Sequence, residues 1–293
     1  MSGHRSHRVR EEGTGSPGIR SVRGLACALA LVSSVSFAFE GAWAQAADGA
    51  DRSSQDRFDV VVLDAGHGGH DEGATGPSGL REKDLVLDVS RRLAKKLGKR
   101  GIRIVMTRTG DRFLSLEERT SVANDARGDL FLSIHANASP SRRPRGIETY
   151  FASLDATDDD ARKTAERENE AFGESAKRYQ RDDPLAAILG SLIETQHLQE
   201  SSEFAKLAQH ELVEIGRARS RGVKQAPFVV LLGVQMPASL VEIGFLSNPD
   251  EEKGLRRAAR REEIASALDA AIGAFAARYD ARRGVRVSRS SEN

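Results

Sequence analysis

The 293-residue sequence has a single cysteine, Cys27, so no internal disulfide can brace the chain. Aromatic residues make up only 5%, with one tryptophan, which leaves the core to aliphatic side chains. Neither sign of charge prevails. Lysine and arginine number 44 against 43 acids, and a net charge of +1 gives no field that would draw nucleic acid or an anionic surface. Beyond the N-terminal region no apolar run is long enough to span a bilayer, and no internal repeat is visible. The glycine-rich stretch 66–79 lacks the Lys-Ser/Thr of a P-loop and the G-x-G-x-x-G order, which argues against phosphate binding.

What is present begins with a targeting pattern. Arg5, Arg8, Arg10, Arg20 and Arg23 precede the apolar stretch Leu25–Phe39, and Ala42-Trp43-Ala44 follows as an A-x-A cleavage pattern. Residues 1–44 therefore read as a cleaved signal peptide, with an uncleaved anchor as the alternative. Cys27 lies inside this segment, and Gly24-Leu25-Ala26 before it is a poor lipoprotein signal. The mature chain is expected to be cysteine-free, exported to the periplasm, without a membrane span and monomeric. Residues 45–57 are a polar linker, 58–280 form the folded domain, and 281–293 are a basic, serine-rich tail expected to fray.

Inside 58–280 the elements alternate. Asp59–Asp64, with four consecutive apolar residues from Val60, reads as a buried strand. Leu85, Val89, Leu93 and Leu97 mark an amphipathic helix over 82–97, ended by Gly98 and Gly101. Ile102–Thr107 is a second strand. Ser115-Leu-Glu-Glu118 is a capping box opening a helix to Ala126. Further strands are expected at Asp129–His135, Gly146–Phe151, Pro227–Leu232 and Ser239–Ile243, with helices around Phe204–Ile215 and over Arg257–Tyr279. This rhythm is that of an α/β sandwich with a central, mostly parallel sheet flanked by helices. Residues 153–202 break it with a connection far longer than usual. The segment starts acidic and has helical composition over Ala161–Tyr179. Asp183-Pro184 then caps an apolar face carried by Leu185, Ile188, Leu189, Leu192 and Ile193. A helical insertion of this kind is a lid, a partner site or an elaboration.

Two histidines stand at strand ends, in Asp64-Ala-Gly-His67-Gly-Gly and Ser133-Ile-His135-Ala-Asn. In open α/β sheets ligands gather beyond the carboxyl ends of strands. Glu82 opens the first helix on the same side, and two imidazoles with one carboxylate form a Zn²⁺ ligand set with a position left for water. Glu242 ends the strand Ser239–Ile243 between apolar neighbours, so desolvation should raise its pKa toward the range of a general acid/base. The chemistry this supports is metal-assisted hydrolysis of an amide-like bond. Taken singly, His67 reads equally as a loop histidine, His135 as a core histidine, Glu82 as a helix N-terminal acid and Glu242 as half of an ion pair. Their coincidence at matching strand ends favours the site. Asp64 is either a further ligand or an orienting residue for the loop. His70, His197 and His210 lack such context and are expected to be solvated.

At these residues the chain resembles the zinc-dependent N-acetylmuramoyl-L-alanine amidases of the amidase 3 family. The matching stretches are VVLDAGHGGHDEGATG (61–76), GLREKDLVLDVSRRLAKKL (79–97), MTRTGD (106–111), LFLSIHANAS (130–139), RGIETYF (145–151), QAPFVVL (225–231) and SLVEIGFLSN (239–248). The resemblance implies a six-stranded sheet, zinc held by His67, Glu82 and His135, and Glu242 as catalytic acid/base. It implies cleavage of the amide between N-acetylmuramic acid and L-alanine in peptidoglycan, in wall remodelling or daughter-cell separation. In the periplasmic cell-separation members an inserted helix covers the metal until an activator protein displaces it. Ala165-Glu-Arg-Glu168-Asn-Glu170-Ala resembles that helix, and Glu168, ahead of Glu170 and Glu166, is the expected blocking ligand. The β-rich targeting domain that many such amidases carry upstream is not expected in the short stretch before the first strand.

Overall fold

A computed structural model describes residues 57–170, 195–216 and 218–285. The signal-peptide reading, nearly all of the linker, the Asp183-Pro184 cap with its apolar face, and most of the basic tail lie outside these residues. Strands β1 (Val60–Ala65), β2 (Arg103–Met106), β3 (Leu130–Asn137), β4 (Ile147–Ala152), β5 (Ser220–Ala226) and β6 (Ala238–Phe245) form one open sheet in the order β2-β1-β3-β6-β4-β5. Four of the five pairings are parallel; only β4 runs antiparallel to its neighbour β6. This is the α/β sandwich expected from the alternating elements.

The central strands β1, β3 and β6 are buried along their whole length. They can be, because helices cover both sheet faces and the strand sequences are apolar on both. Val61 and Leu63 point to a core shared with helices α1 (Glu82–Lys99), α4 (Thr195–Gly216) and α7 (Ala258–Arg282). Val62 points the other way, under α2 (Leu116–Ala126), α3 (Asp159–Glu170) and the short α5 (Val229–Leu232). The edge strands β2 and β5 are only partly buried and carry Arg103, Arg221 and Lys224, charges that discourage further pairing.

Local signals account for the helix ends. Both bonds of the capping box at Ser115 and Glu118 form, and α2 stops at Arg127 in a left-handed conformation. Helix α1 starts with Glu82 and Asp84 and ends with Lys96 and Lys99, each favourable to the helix dipole. Helix α6 (Pro249–Leu255), absent from the sequence reading, is capped by the Asn248 side chain with Pro249 in its first turn.

Two expectations need correcting. Pro227–Leu232 is not a strand. Its β-branched run folds as α5, every residue of which is buried against β4 and β6, and the fifth strand is the preceding Ser220–Ala226. An edge strand has little apolar periodicity to announce it, whereas a short buried apolar run reads alike as strand or helix. Strands β6 and β3 also continue, past Ile243 to Phe245 and past His135 to Asn137, so Glu242 and His135 lie within their strands rather than at the ends.

The two ends of the folded region are tied together. The Phe58 N–H donates to Asp280 at 2.7 Å, and the Phe58 ring packs edge-on against Phe275 and Tyr279. Phe275 is fully buried and also meets Phe204. Phe275→Ala is expected to cost about 3–5 kcal/mol in urea unfolding. A loss under about 1 kcal/mol would show that this junction contributes little.

Candidate active site

The residue that starts the site is His67, just past the end of β1. Its φ is +59°, a left-handed conformation uncommon outside glycine. The ring is aimed from behind: Nδ1 lies 2.9 Å from Asp71 Oδ2, which turns Nε2 inward. Two glycines make room. A Cβ on Gly66 would sit 2.3 Å from Cε1 of His135, and one on Gly73 2.6 Å from Cδ2 of His67.

Glu82 enters at the first turn of α1 and is almost fully buried. Backbone N–H groups hold both of its oxygens, Ala136 on Oε1 and Ala74 on Oε2, each at 2.9 Å. Burial alone would raise its pKa. The neighbouring His67 charge and bonds from both imidazoles outweigh burial and bring it down to about 2. His135 stands in β3 with Nδ1 toward the same point.

Helix α3 of the insertion brings a second carboxylate. Glu168 Oε2 lies 3.2 Å from His67 Nε2 and 3.0 Å from His135 Nδ1, while Glu82 Oε1 lies 3.0 and 3.1 Å from the same nitrogens. Donor atoms of all four residues lie within 4.8 Å of one another, and all four residues are buried. His67 Nε2 and Glu168 Oε2 have no hydrogen-bond partner among the described residues despite these short distances. Of the four contacts only His135 Nδ1 to Glu82 Oε1 has hydrogen-bond geometry; the others crowd one point without it. Ligands of a tetrahedral ion bound at ~2.0 Å stand ~3.3 Å apart, close to the four separations given. The residues fit a small divalent cation.

The electrostatics favour positive charge there. Burial lowers the His67 pKa, yet the Glu82 charge, the bond to Asp71 and the close approach of Glu168 and Glu82 lift it well above the usual imidazole value. Burial likewise opposes charge on His135, and Glu168 with Glu82 raises it to about 9. Against burial, the two imidazoles hold the Glu168 carboxyl well below its usual range.

Glu242 faces His135 across the β3–β6 pairing. It is fully buried, and neither carboxylate oxygen has a hydrogen-bond partner among the described residues. Burial, then repulsion from Glu168 and Glu82, pushes its pKa well above the carboxylate range. Glu148 lies opposite Glu242 on β4 and is bonded by the Tyr150 hydroxyl and by Arg221. That carboxylate is thus satisfied, whereas Glu242 is kept free.

The structure gathers His67, Glu82, His135, Glu168 and Glu242 at one place. Asp64 is no part of the donor cluster; its oxygens are taken by Thr107, Arg119 and Ser133. His70 and His210 are exposed and His197 is partly buried. Residues absent from the sequence reading are Asp71, Arg108, Arg119, Arg167 and Asn169. Asp71 carried a signal, a carboxylate four residues past His67 in a glycine-rich turn. The others look like surface charge and polarity.

A sequence profile described as N-acetylmuramoyl-L-alanine amidase matches residues 61–274. The chain is 36% identical over 211 residues to the amidase AmiA of Escherichia coli K12, covering 71% of this chain and 73% of that protein. It is 35% identical over 231 residues to AmiC of Escherichia coli O6:H1, covering 76% of this chain. That alignment takes in 54% of AmiC, so the chain spans about half the length of this relative. The fold is similar to the crystal structure of an N-acetylmuramoyl-L-alanine amidase from Clostridium difficile 630, with a TM-score of 0.57 and 28% identity over 74% of this chain and 96% of that one.

Proposed function

The chain belongs to the N-acetylmuramoyl-L-alanine amidase family, and on that premise we propose that it hydrolyses the amide between N-acetylmuramic acid and the L-alanine of peptidoglycan stem peptides. In this reading His67, Glu82 and His135 hold zinc, Glu242 is the catalytic acid/base, and Glu168 blocks the site until its helix is moved. The observation that carries it is the buried set of two imidazoles and two carboxylates converging on one point, with His67 Nε2 and Glu168 Oε2 left without a hydrogen-bond partner among the described residues.

Zinc bound there supplies Lewis acidity, which polarises an amide carbonyl and makes water a better nucleophile near neutral pH. Asp71 and the backbone N–H groups of Ala74 and Ala136 keep the His67 ring and the Glu82 carboxylate aimed. Glu242 takes the proton of the attacking water and delivers it to the leaving nitrogen. In the arrangement described, Glu242 is pushed toward its neutral form, by burial first and by the Glu168 charge second. Withdrawal of Glu168 removes that repulsion and admits water. Blocking and disarming the base are then one event.

Three consecutive side chains dock α3. Arg167 donates to Ala138 O at 2.7 Å and Asn137 Oδ1 at 2.8 Å, Glu168 meets the imidazoles, and Asn169 bonds Pro227 O at 2.8 Å and the Val229 N–H at 3.0 Å. These bonds reach both sides of the site and support an autoinhibited resting state released by a periplasmic activator. Residues 1–44 as signal peptide, 45–57 as linker, 58–280 as the catalytic domain with its 153–202 regulatory insertion, and 281–293 as a tail complete the proposal. No helix among the described residues is long and apolar enough to cross a membrane. The enzyme would act on peptidoglycan as a periplasmic monomer, in wall remodelling or daughter-cell separation.

Glu242→Gln is expected to lower release of stem peptides from purified sacculi by at least ~10²-fold while one zinc per chain is retained, read by muropeptide mass spectrometry and metal analysis. Full activity in this variant would remove Glu242 from the mechanism. Products cut within the stem peptide, instead of peptides with a free L-alanine amine, would make the protein a peptidase. Glu168→Ala, alone or with Arg167→Ala, should raise basal hydrolysis by the full-length protein, and unchanged basal rates in both would defeat the blocking role.

A further inference from the structure

Two arginines are among the most deeply buried side chains of the molecule. Arg108 and Arg119 are each 1% exposed, and the buried carboxylate of Asp64, on β1, pairs with Arg119. Arg119 Nη1 donates to Asp64 Oδ1 at 2.7 Å, while Thr107 and Ser133 hydroxyls donate to the same carboxylate at 2.7 and 2.8 Å. Burying two guanidiniums side by side is costly. Burial, then repulsion from Arg119, lowers the Arg108 pKa to about 10. Apolar side chains of similar volume would pack such a place as well or better. The cost points to a geometric task.

The hydrogen bonds identify that task. At the carboxyl end of β1 the chain leaves the sheet, and the carbonyls of Ala65, Gly66 and His67 need partners. Arg119 donates to Ala65 O and His67 O, both at 2.9 Å. Arg108 donates to Ala65 O at 2.9 Å and Gly66 O at 2.7 Å. Three consecutive carbonyls are therefore received by two planar forks, at the very place where His67 takes its left-handed φ. Arg108 also donates to Lys83 O at 2.9 Å, the residue after Glu82. One guanidinium thus joins the backbone that carries His67 to the helix turn that carries Glu82.

We propose that Asp64, Arg108 and Arg119 form a buried clamp that holds the His67 turn and the start of α1 in register, so that His67 Nε2 and Glu82 Oε1 converge on the metal. They are positioning residues and lie outside the cluster of donor atoms. This inference rests on the metal reading above. A lysine cannot replace either arginine, because one ammonium lacks the spread donors that reach several carbonyls at once. Asp64 anchors Arg119 and ties the clamp to β1, and Ser133 and Thr107 tie Asp64 to β3 and the end of β2.

The test uses the full-length protein and measures zinc affinity by chelator competition, together with the visible absorption of the Co²⁺-substituted form. Arg119→Lys and Arg108→Lys are expected to weaken zinc binding by about 10–100-fold and to alter the Co²⁺ bands, as outer-shell changes do. Ser133→Ala removes one bond from Asp64, is the variant least prone to misfold, and should weaken zinc binding to a smaller, measurable extent. Phe275→Ala serves as the comparison, since it destabilises the fold at a core junction made with Phe58, Phe204 and Tyr279. If the folded clamp variants, Ser133→Ala included, bind zinc with wild-type affinity and spectrum, or lose it no more than Phe275→Ala does, the clamp is refuted. Failure of the wild-type protein to bind a stoichiometric metal would instead overturn the metal reading.

Discussion

Everything at this site depends on placing like charges together out of water. Glu82, Glu168 and Glu242 are all buried within reach of two imidazoles, yet they are driven in opposite directions. The two carboxylates that touch His67 and His135 are held ionised; the third, with no hydrogen-bond partner, is pushed toward its neutral form. Two positive partners can stabilise two negative ones. For a third carboxylate in the same low-dielectric volume, burial and the two neighbouring carboxylates outweigh the attraction of His135 and Arg167, which pushes it toward the neutral form. The same imbalance makes the site attractive to a cation and makes Glu242 responsive to what occupies the fourth corner.

The sheet makes this crowding affordable. Central strands fully buried on both faces give rigid positions from which His135 and Glu242 face each other across one pairing. Glu148, one strand further along, is satisfied by Tyr150 and Arg221 and so adds little to the conflict. Backbone groups do most of the remaining work. Glu82 is gripped by two N–H donors, and the carbonyls leaving β1 are gripped by Arg108 and Arg119. His67 and Glu82 are thus held in large part through backbone groups. The inserted helix is held differently, by a few side-chain bonds from Arg167, Glu168 and Asn169 over little apolar area. Ala161 and Ala165 supply most of its buried face. An element docked mainly through polar side chains can be exchanged for other polar partners at small net cost, as a displaceable cover requires.

Much of the fold and of the site was legible in the chain itself. Continuous apolar runs marked β1, β3 and β6, leucines at four-residue spacing marked α1, and the capping box marked α2, because burial and helix ends impose local patterns on sequence. His67, His135 and Glu242 were visible because each sits on or just after such a run, and Glu82 because it opens a helix. β5 was missed and Pro227–Leu232 misread, since an edge strand needs no apolar pattern and a four-residue helix buried on all sides has no period.

Sequence by itself determined the order of elements, the two-faced burial of the central strands and the residue types able to bind a metal. Those are consequences of which side chains avoid water and of where each lies along a strand or helix. Only the tertiary structure decided that Arg108 and Arg119 turn inward, that Asp71 aims His67 and that Asp64 bonds Arg119. An arginine or glutamate in a chain rich in both reads as solvated. It becomes buried only where long-range folding brings it a counter-charge and unpaired backbone carbonyls. Arg119 finds both in Asp64 and His67, more than fifty residues away, and no local pattern records that meeting.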